Sequence, residues 1–267
     1  MRAGAFAGLE VRLERRLAAG RMTEVWFGAA DDERRLAVKV LKSDWLPRPG
    51  ARALLRREYE VLGSLQHPGI VAVGAFVDEP DCAALVYEYL GGGDLVSLAG
   101  AAPRHWIAPA RDLLCALEYL HGRDFAHRDV KARNVMFDSR GRARLIDFGS
   151  AARIGEPCSE HGTTAAHRPL HARLTRVAPQ LDLYAFAVLL YELLSGRLPF
   201  GVAPGASALR GAPELPASVE LEDSQELAAL QKLVLAALAP SDDRSIGSVS
   251  EFANVIESVL AKESRRQ

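Results

Sequence analysis

Cysteine is scarce in this sequence, which has only Cys82, Cys115 and Cys158 among its 267 residues. An odd number of widely spaced cysteines argues against a disulfide framework. Long apolar runs are also lacking: residues 1–10 include no apolar core long enough for a secretory signal, and the most apolar run, at 184–194, is too short to span a bilayer. We therefore expect a soluble, cytoplasmic protein without a membrane anchor.

An excess of charge of either sign is missing as well. The 33 basic and 34 acidic side chains give a formal net charge of −1, so we expect neither nucleic acid nor an anionic membrane as the main partner. Hydrophobic residues make up 49%, enough for a substantial core, and the length fits one domain or two tightly packed lobes. The preference for arginine over lysine is typical of a GC-rich bacterial genome.

The hydrophobic pattern divides the chain into a strand-rich first third and a mainly helical remainder. Alternating apolar runs predict strands at 11–20, 24–30, 35–42, 69–78 and 83–90. Residues 51–66 show helical periodicity instead. The apolar residues that fall on or near one face of this helix are Leu54, Leu55, Tyr59, Leu62 and Leu65. The sequence GGGD at 91–94 is interpreted as a hinge or linker.

Helices dominate the remainder of the chain. An amphipathic helix is predicted over 108–122, with Pro109 near its start. Further helices are predicted at 181–196, 224–239 and 248–263, and two short strands at 134–138 and 143–148. Residues 201–217 are interpreted as a loop.

Polar and charged residues crowd the loop before these two strands. They are His127, Arg128, Asp129, Lys131 and Asn134. Charged loop residues are usually just solvated, but these lie between two apolar runs, which raises the question of what they do.

The loop sequence HRDVKARN, followed by DFG at 147–149, resembles the eukaryotic-type (Hanks-type) Ser/Thr protein kinase family. The remaining motifs come in the family's order: AVK at 37–39, Glu58 on the first helix, the long apolar segment 182–200 and PSDDR at 240–244. The resemblance covers roughly residues 9–260 and points to a bacterial stand-alone kinase domain.

The fold that this resemblance implies is α+β and bilobal. Residues 1–90 would form an N-lobe with a small antiparallel sheet and one helix, and residues 91–267 a mainly helical C-lobe of the same catalytic domain.

The resemblance also assigns roles in phosphoryl transfer, which needs positioning and charge neutralisation more than covalent chemistry. Asp129 would accept the proton of the substrate hydroxyl, and Lys131 would reach the transferring phosphate. Asn134 and Asp147 would hold Mg²⁺ (or Mn²⁺), which prefers hard oxygen ligands. Lysine at position 131 is typical of Ser/Thr-directed members, which implies a protein substrate with a Ser/Thr acceptor.

Two further residues would act on the nucleotide phosphates. Lys39 would contact the α and β phosphates of ATP, and Glu58 would hold Lys39 by an ion pair. The alternative for the whole set of charged residues is a group of structural ion pairs and caps.

The adenine site is placed by the same resemblance. Tyr87 is the gatekeeper, the backbones of Glu88 and Leu90 meet the adenine edge, and Asp94 is placed for the ribose hydroxyls. The residues that would sandwich the ring are Val25, Ala37 and Met136. Taken alone, these three would be interpreted as plain core residues.

The loop that covers the phosphates departs from the family pattern of glycines. Ala18, Gly20, Thr23 and Val25 stand where the family has Gly, Gly, Gly and Val. Because Ala18 and Thr23 carry Cβ atoms, we expect a stiffer loop and weaker nucleotide binding.

The segment after DFG departs from the pattern as well. Leu170 stands where the family has a glutamate that pairs with a buried arginine, here Arg244, so Arg244 is expected to be exposed or paired with a nearby aspartate. Ser159 is a candidate for a phosphate that would order the loop through Arg128. The nearby Cys and His residues leave a metal site open as an alternative: Cys158, His161, His167 and His171.

Three functions compete. The first is an active kinase that transfers the γ-phosphate of Mg-ATP to a protein hydroxyl. The second is a pseudokinase or nucleotide-binding scaffold, which the glycine-poor loop and Leu170 favour. The third is a small-molecule kinase, which Arg128 disfavours because such enzymes usually have His-Gly-Asp in the catalytic loop.

Overall fold

The computed structural model describes residues 4–6, 9–158, 167, 175–200, 225–239 and 247–265. The chain divides into two compact units, Met1–Gly91 (the N-terminal unit) and Gly92–Gln267 (the C-terminal unit). Their assignment as two lobes of one catalytic domain stays a prediction. Among the described residues, no helix is both long and apolar enough to cross a membrane.

The N-terminal unit is a six-stranded antiparallel sheet with one helix, in line with the predicted α+β class. In sheet order the strands are β1 (Gly4–Phe6), β2 (Leu9–Ala19), β3 (Thr23–Ala30), β4 (Arg35–Leu41), β6 (Cys82–Glu88) and β5 (Val73–Glu79). Helix α1 (Ala51–Gly63) follows β4 along the chain. The sequence pattern did not predict β1, because three residues are too few to show a period of two.

Alternation along the central strands sorts their side chains onto two faces. Val38 of β4 and Val86 of β6 lie opposite each other and pack in a buried apolar cluster with Val11. The neighbouring pair, Ala37 and Tyr87, therefore points to the other face. Helix α1 contacts β4, β5 and β6, which covers this sheet and explains why β6 is buried almost throughout.

The buried face of α1 differs from the predicted one, and Leu65 lies beyond the end of the helix at Gly63. Leu55, Glu58 and Leu62 are buried, as their spacing of three and four residues requires. Leu54 is 51% exposed, so its assignment to the buried face was wrong. The reason is geometric: successive residues lie about 100° apart around a helix, which turns Leu54 away from Leu55.

The C-terminal unit is mainly helical. Its helices are α2 (Pro103–His121), α3 (Pro179–Ser195), α4 (Gln225–Leu238) and α5 (Val249–Glu263). Helix α3 is buried along most of its length because it contacts both α2 and α4. The Ser248 hydroxyl and the Glu251 carboxylate form a capping box at the start of α5.

Helix α2 begins five residues before its predicted start at 108. Pro103 occupies the first turn, where no backbone N–H is needed, and Ala102 before it is extended, as is usual before proline. Pro109 therefore lies inside the helix rather than near its start, so that prediction was wrong. Trp106 and Ile107, in the added turn, are fully buried and stabilise it.

Two small antiparallel sheets complete the C-terminal unit. Strand β8 (Val135–Phe137) pairs with β9 (Ala143–Leu145), close to the prediction. Strand β7 (Phe125–Ala126) pairs with β10 (Ala152–Arg153), which two-residue strands do not reveal in a sequence. The loop that holds Asp129 lies between β7 and β8.

Candidate active site

Lys39 and Glu58 form a buried ion pair in the N-terminal unit. The Lys39 Nζ donates to both carboxylate oxygens of Glu58, at 2.9 Å to Oε1 and 2.8 Å to Oε2. The two side chains are 14% and 2% exposed. Strand β4 supplies the lysine and α1 the glutamate. A third hydrogen bond to this carboxylate comes from the Tyr87 hydroxyl, which reaches Glu58 Oε1 at 2.8 Å.

Several residues predicted for the nucleotide share one face of the N-terminal sheet. Val25 lies opposite Lys39 across β3 and β4, and Ala37 lies opposite Tyr87 across β4 and β6. Directly paired residues, and those two positions along a strand, point to the same face. The sheet therefore places Val25, Ala37, Lys39 and Tyr87 on one side.

The turn between β2 and β3 is closed by backbone hydrogen bonds. The Gly20 amide donates to the Thr23 carbonyl at 2.8 Å, and Ala18 pairs with Val25 in the strands that flank the turn. The Arg21 guanidinium lies over the Trp45 ring, 5.4 Å from its centroid. These contacts hold the turn, and the stiffness expected of a loop with few glycines stays a prediction.

Glu88, the last residue of β6, is bonded to Ala72 through both its backbone and its side chain. The Glu88 amide donates to the Ala72 carbonyl at 3.1 Å, and the Glu88 carboxylate accepts the Ala72 amide at 2.8 Å. Leu90 is buried at the end of this segment. The end of β6 at Glu88 is thus held against Ala72 by two hydrogen bonds.

Asp129, Lys131 and Asn134 come together in the C-terminal unit. Lys131 Nζ donates to Asp129 Oδ2 at 2.7 Å. Asn134 Nδ2 donates to the same oxygen at 2.9 Å and to the Asp129 carbonyl at 2.8 Å. Since the amide nitrogen of Asn134 faces Asp129, the amide oxygen is the atom left for a cation. A carboxylate at Asp147 and this oxygen are the hard ligands that Mg²⁺ prefers.

His127 connects this loop to the DFG segment. Its Nδ1 accepts the Asp129 amide at 3.3 Å, so its Nε2 carries the proton and donates to the Ile146 carbonyl at 3.1 Å. The His127 ring also meets the buried Phe148 ring edge-on, with centroids 4.8 Å apart. Asp147 between them has a left-handed backbone, φ 63°, which is uncommon for a residue other than glycine.

Asp182 anchors the backbone of the loop that holds Asp129. This fully buried carboxylate accepts the amides of His127 at 2.8 Å and Arg128 at 2.7 Å, and the His121 ring at 2.9 Å. Burial raises the pKa of the Asp182 carboxyl, but the hydrogen bond from His121 and the backbone donors outweigh it and hold that pKa below its ordinary value. Sequence reasoning did not identify this role, since the partners are more than fifty residues apart.

Asp94 and Met136 are neighbours in the C-terminal unit. They form an isolated antiparallel bridge. Gly92 makes this close approach possible: a Cβ there would lie 2.6 Å from the Phe137 Cβ and 2.8 Å from its carbonyl oxygen. The predicted ribose and ring contacts are therefore adjacent.

His167 is the one described residue of the segment 159–174. It is 8% exposed, and neither ring nitrogen has a hydrogen-bond partner among the described residues. Burial lowers its pKa to about 4, while the charges of Asp129 and Lys131 act on it in opposite directions. Ser159, His161, Leu170, His171 and Arg244 lie outside the described residues. Among the described ones, no His, Cys, Asp and Glu cluster could hold a metal ion.

Comparison with known proteins identifies the family of the chain. The family model described as protein kinase domain matches residues 11–266 of the chain. The chain belongs to the protein kinase domain family. The resemblance of the motifs and the predicted kinase-like α+β fold are thereby confirmed.

Curated relatives of this kinase domain are bacterial. A probable serine/threonine-protein kinase of Streptomyces coelicolor is 33% identical over 91% of this chain and 39% of its own length. The serine/threonine-protein kinase PknB of Mycolicibacterium smegmatis is 32% identical over 82% of this chain and 38% of its own length. The serine/threonine-protein kinase PrkC of Bacillus subtilis is 29% identical over 76% of this chain and 35% of its own length. The kinase domain thus spans less than half the length of these relatives.

Proposed function

We propose that the chain is a Ser/Thr protein kinase that transfers the γ-phosphate of ATP to a hydroxyl of a protein substrate. One observation carries this proposal: Asp129 is oriented by Lys131 and Asn134 within a loop whose backbone is anchored on Asp182. A group of structural ion pairs does not require a carboxylate oriented by two donors in a loop whose backbone is itself anchored.

Asp129 is the base in this proposal. Its Oδ2 accepts from Lys131 and Asn134, which fixes the plane of the carboxylate that takes the proton of the acceptor hydroxyl. Lys131, bonded to Asp129, supplies a positive charge where the transferring phosphate becomes more negative. The substrate hydroxyl is thus oriented and deprotonated by residues of one loop.

The metal and nucleotide are assigned to the predicted residues. Asn134 and Asp147 would hold Mg²⁺ (or Mn²⁺), which neutralises phosphate charge when bound. Lys39 binds the α and β phosphates and Glu58 orients it. The remaining nucleotide contacts are Ala18, Gly20, Val25, Ala37, Glu88, Leu90, Asp94 and Met136. We place the domain in the cytoplasm, where ATP is plentiful, and propose no nucleic-acid partner.

A nucleotide-binding scaffold is the second candidate. The observation that favours it is the turn between β2 and β3, where Ala18 and Thr23 replace glycines and Arg21 is held on Trp45. The hydrogen bonds from Lys131 and Asn134 to Asp129 are the stronger observation, and they favour catalysis.

A binding assay followed by a transfer assay tests the proposal. We expect ATP with Mg²⁺ to raise the melting temperature and the protein to phosphorylate serine or threonine of a generic basic protein. Asp129→Asn should bind ATP and transfer phosphate at least about 10²-fold more slowly. Binding without transfer by the unaltered chain would favour the scaffold, and transfer to a small molecule alone would favour a small-molecule kinase.

A further inference from the structure

The Glu58 carboxylate accepts three hydrogen bonds in a site that is almost inaccessible to solvent. Its side chain is 2% exposed, Lys39 bonds both oxygens, and Tyr87 bonds Oε1. A desolvated carboxylate is costly unless its charge is paired and its lone pairs are used. The tyrosine hydroxyl therefore contributes to a network that would be incomplete with the ion pair alone.

The position of Tyr87 follows from the register of β4 and β6. Tyr87 lies opposite Ala37, and Lys39 lies opposite Leu85. Both pairs point to the face that also receives Glu58 from α1. Because alanine is small, the aromatic ring of Tyr87 can lean across this face, and the residue is only 8% exposed. Its hydroxyl can then reach the carboxylate.

We propose that Tyr87 is a positioning residue for phosphoryl transfer, whose hydroxyl fixes the Glu58 carboxylate and thereby the Nζ of Lys39. The proposal rests on the kinase function proposed above and deepens it. Lys39 contacts both oxygens almost equally, so the ion pair alone lets the carboxylate swing about its long axis. A third bond, directed at one oxygen, removes this freedom.

The same residue joins two parts of the nucleotide site in the N-terminal unit. Tyr87 directly precedes Glu88, whose backbone is assigned to the adenine edge. The end of β6 therefore holds the base on one side and the phosphate-binding lysine, through Glu58, on the other. A small displacement of Lys39 would cost catalysis more than it costs affinity, because transfer depends on alignment.

Tyr87→Phe removes the hydroxyl and keeps the ring, so it tests the proposal directly. We expect kcat to fall about tenfold and the KM for ATP to change by less than about threefold. Tyr59→Phe is the matched control, since Tyr59 is next to Glu58 on α1 and stacks on Phe76. Among the described residues its hydroxyl has no hydrogen-bond partner, so this variant should keep normal kcat.

A double variant shows whether the effect passes through Glu58. In a Glu58→Ala background the hydroxyl has no carboxylate to fix, so Tyr87→Phe should change the residual kcat by less than about twofold. A loss as large as in the unaltered chain would mean that the hydroxyl of Tyr87 acts independently of Glu58 and would overturn the proposal.

Acylation of Lys39 by an amine-reactive reagent gives a readout that does not need activity. The chain has five lysines, so peptide mass spectrometry can follow Lys39 against the exposed Lys232 in the same molecule. Tyr87→Phe should raise the relative labelling rate of Lys39 about threefold or more, because a looser carboxylate protects it less. Tyr59→Phe should leave the rate unchanged.

The two readouts separate the possible failures. Unchanged labelling, or raised labelling with normal kcat, overturns the positioning role of Tyr87. If the unaltered chain transfers no phosphate while Tyr87→Phe still exposes Lys39, the kinase function fails, and with it the role in transfer, although the hydroxyl does hold the ion pair.

Discussion

The buried carboxylate of Asp182 accepts the backbone amide of Arg128 at 2.7 Å. Through this bond, helix α3 sets the position of the residue that directly precedes Asp129. Arg128 has a left-handed backbone, φ 69°, which is unfavourable for a long side chain and needs such support. The conformation of the loop is therefore stabilised from a distant part of the sequence.

Asp182→Asn should destabilise the protein and impair transfer together. The amide has one acceptor oxygen where three donors converge, so we expect the free energy of unfolding to fall by about 3 kcal/mol. Urea denaturation measures this loss. Asp112→Asn is the control, since Asp112 makes only a partly exposed ion pair and should cost below about 1 kcal/mol. Equal costs for the two variants would contradict the anchoring role of Asp182.

Asp147→Ala should weaken nucleotide binding only when a divalent cation is present. The variant loses one of the two assigned metal ligands, so we expect the affinity for ATP with Mg²⁺ to fall at least about tenfold. With a chelator, the variant and the unaltered chain should bind ATP equally weakly. Calorimetric titration under both conditions makes the comparison, and an equal loss with and without Mg²⁺ would argue against a metal role.

His167 should make stability depend on pH. Burial lowers the pKa of this histidine from its ordinary 6.5 to about 4 in the folded state, so only the unfolded state takes up the proton between these values. Its contribution is complete above pH 6.5 and is lost as the pH falls to about 4. His167→Leu should flatten the urea-denaturation profile in this window. His105→Leu, at an exposed site, should leave the profile unchanged, and an unchanged profile for His167→Leu would contradict the prediction.

Gly92→Ala should disturb the bridge between Asp94 and Met136. The added methyl would lie 2.6 Å from the Phe137 Cβ, so the backbone must move, at a cost of about 1–3 kcal/mol. Gly63→Ala is the control, because a Cβ there meets nothing within 4 Å. Thermal melts compare the two variants, and equal melting temperatures would show that the approach at Gly92 is not tight.

The sequence predicted the elements whose signal is local and missed the contacts that join distant residues. Apolar periodicity placed α1 and the long strands, and the order of the motifs indicated the family. Leu54 was placed wrongly because an apolar residue beside Leu55 fits the same broad stripe. Pro109 was taken as a start signal although Pro103 fills the first turn.

The hydrogen bonds of Tyr87 and Asp182 cannot be predicted from the spacing of residues in the sequence. The bond from Tyr87 to Glu58 crosses 29 residues and that from His121 to Asp182 crosses 61. Both depend on how the elements pack, which short motifs do not encode. The residue types at these positions also suit ordinary core packing, so only the structure distinguishes their roles.

The most direct test of the account is phosphate transfer by Asp129→Asn beside the unaltered chain, with radiolabelled ATP, Mg²⁺ and a basic protein. We expect label on serine or threonine with the unaltered chain and a fall in kcat of about 10²–10⁴-fold in the variant, at unchanged affinity for ATP. Normal turnover by Asp129→Asn, with phosphate still on protein hydroxyls, would contradict the assignment of Asp129 as the base.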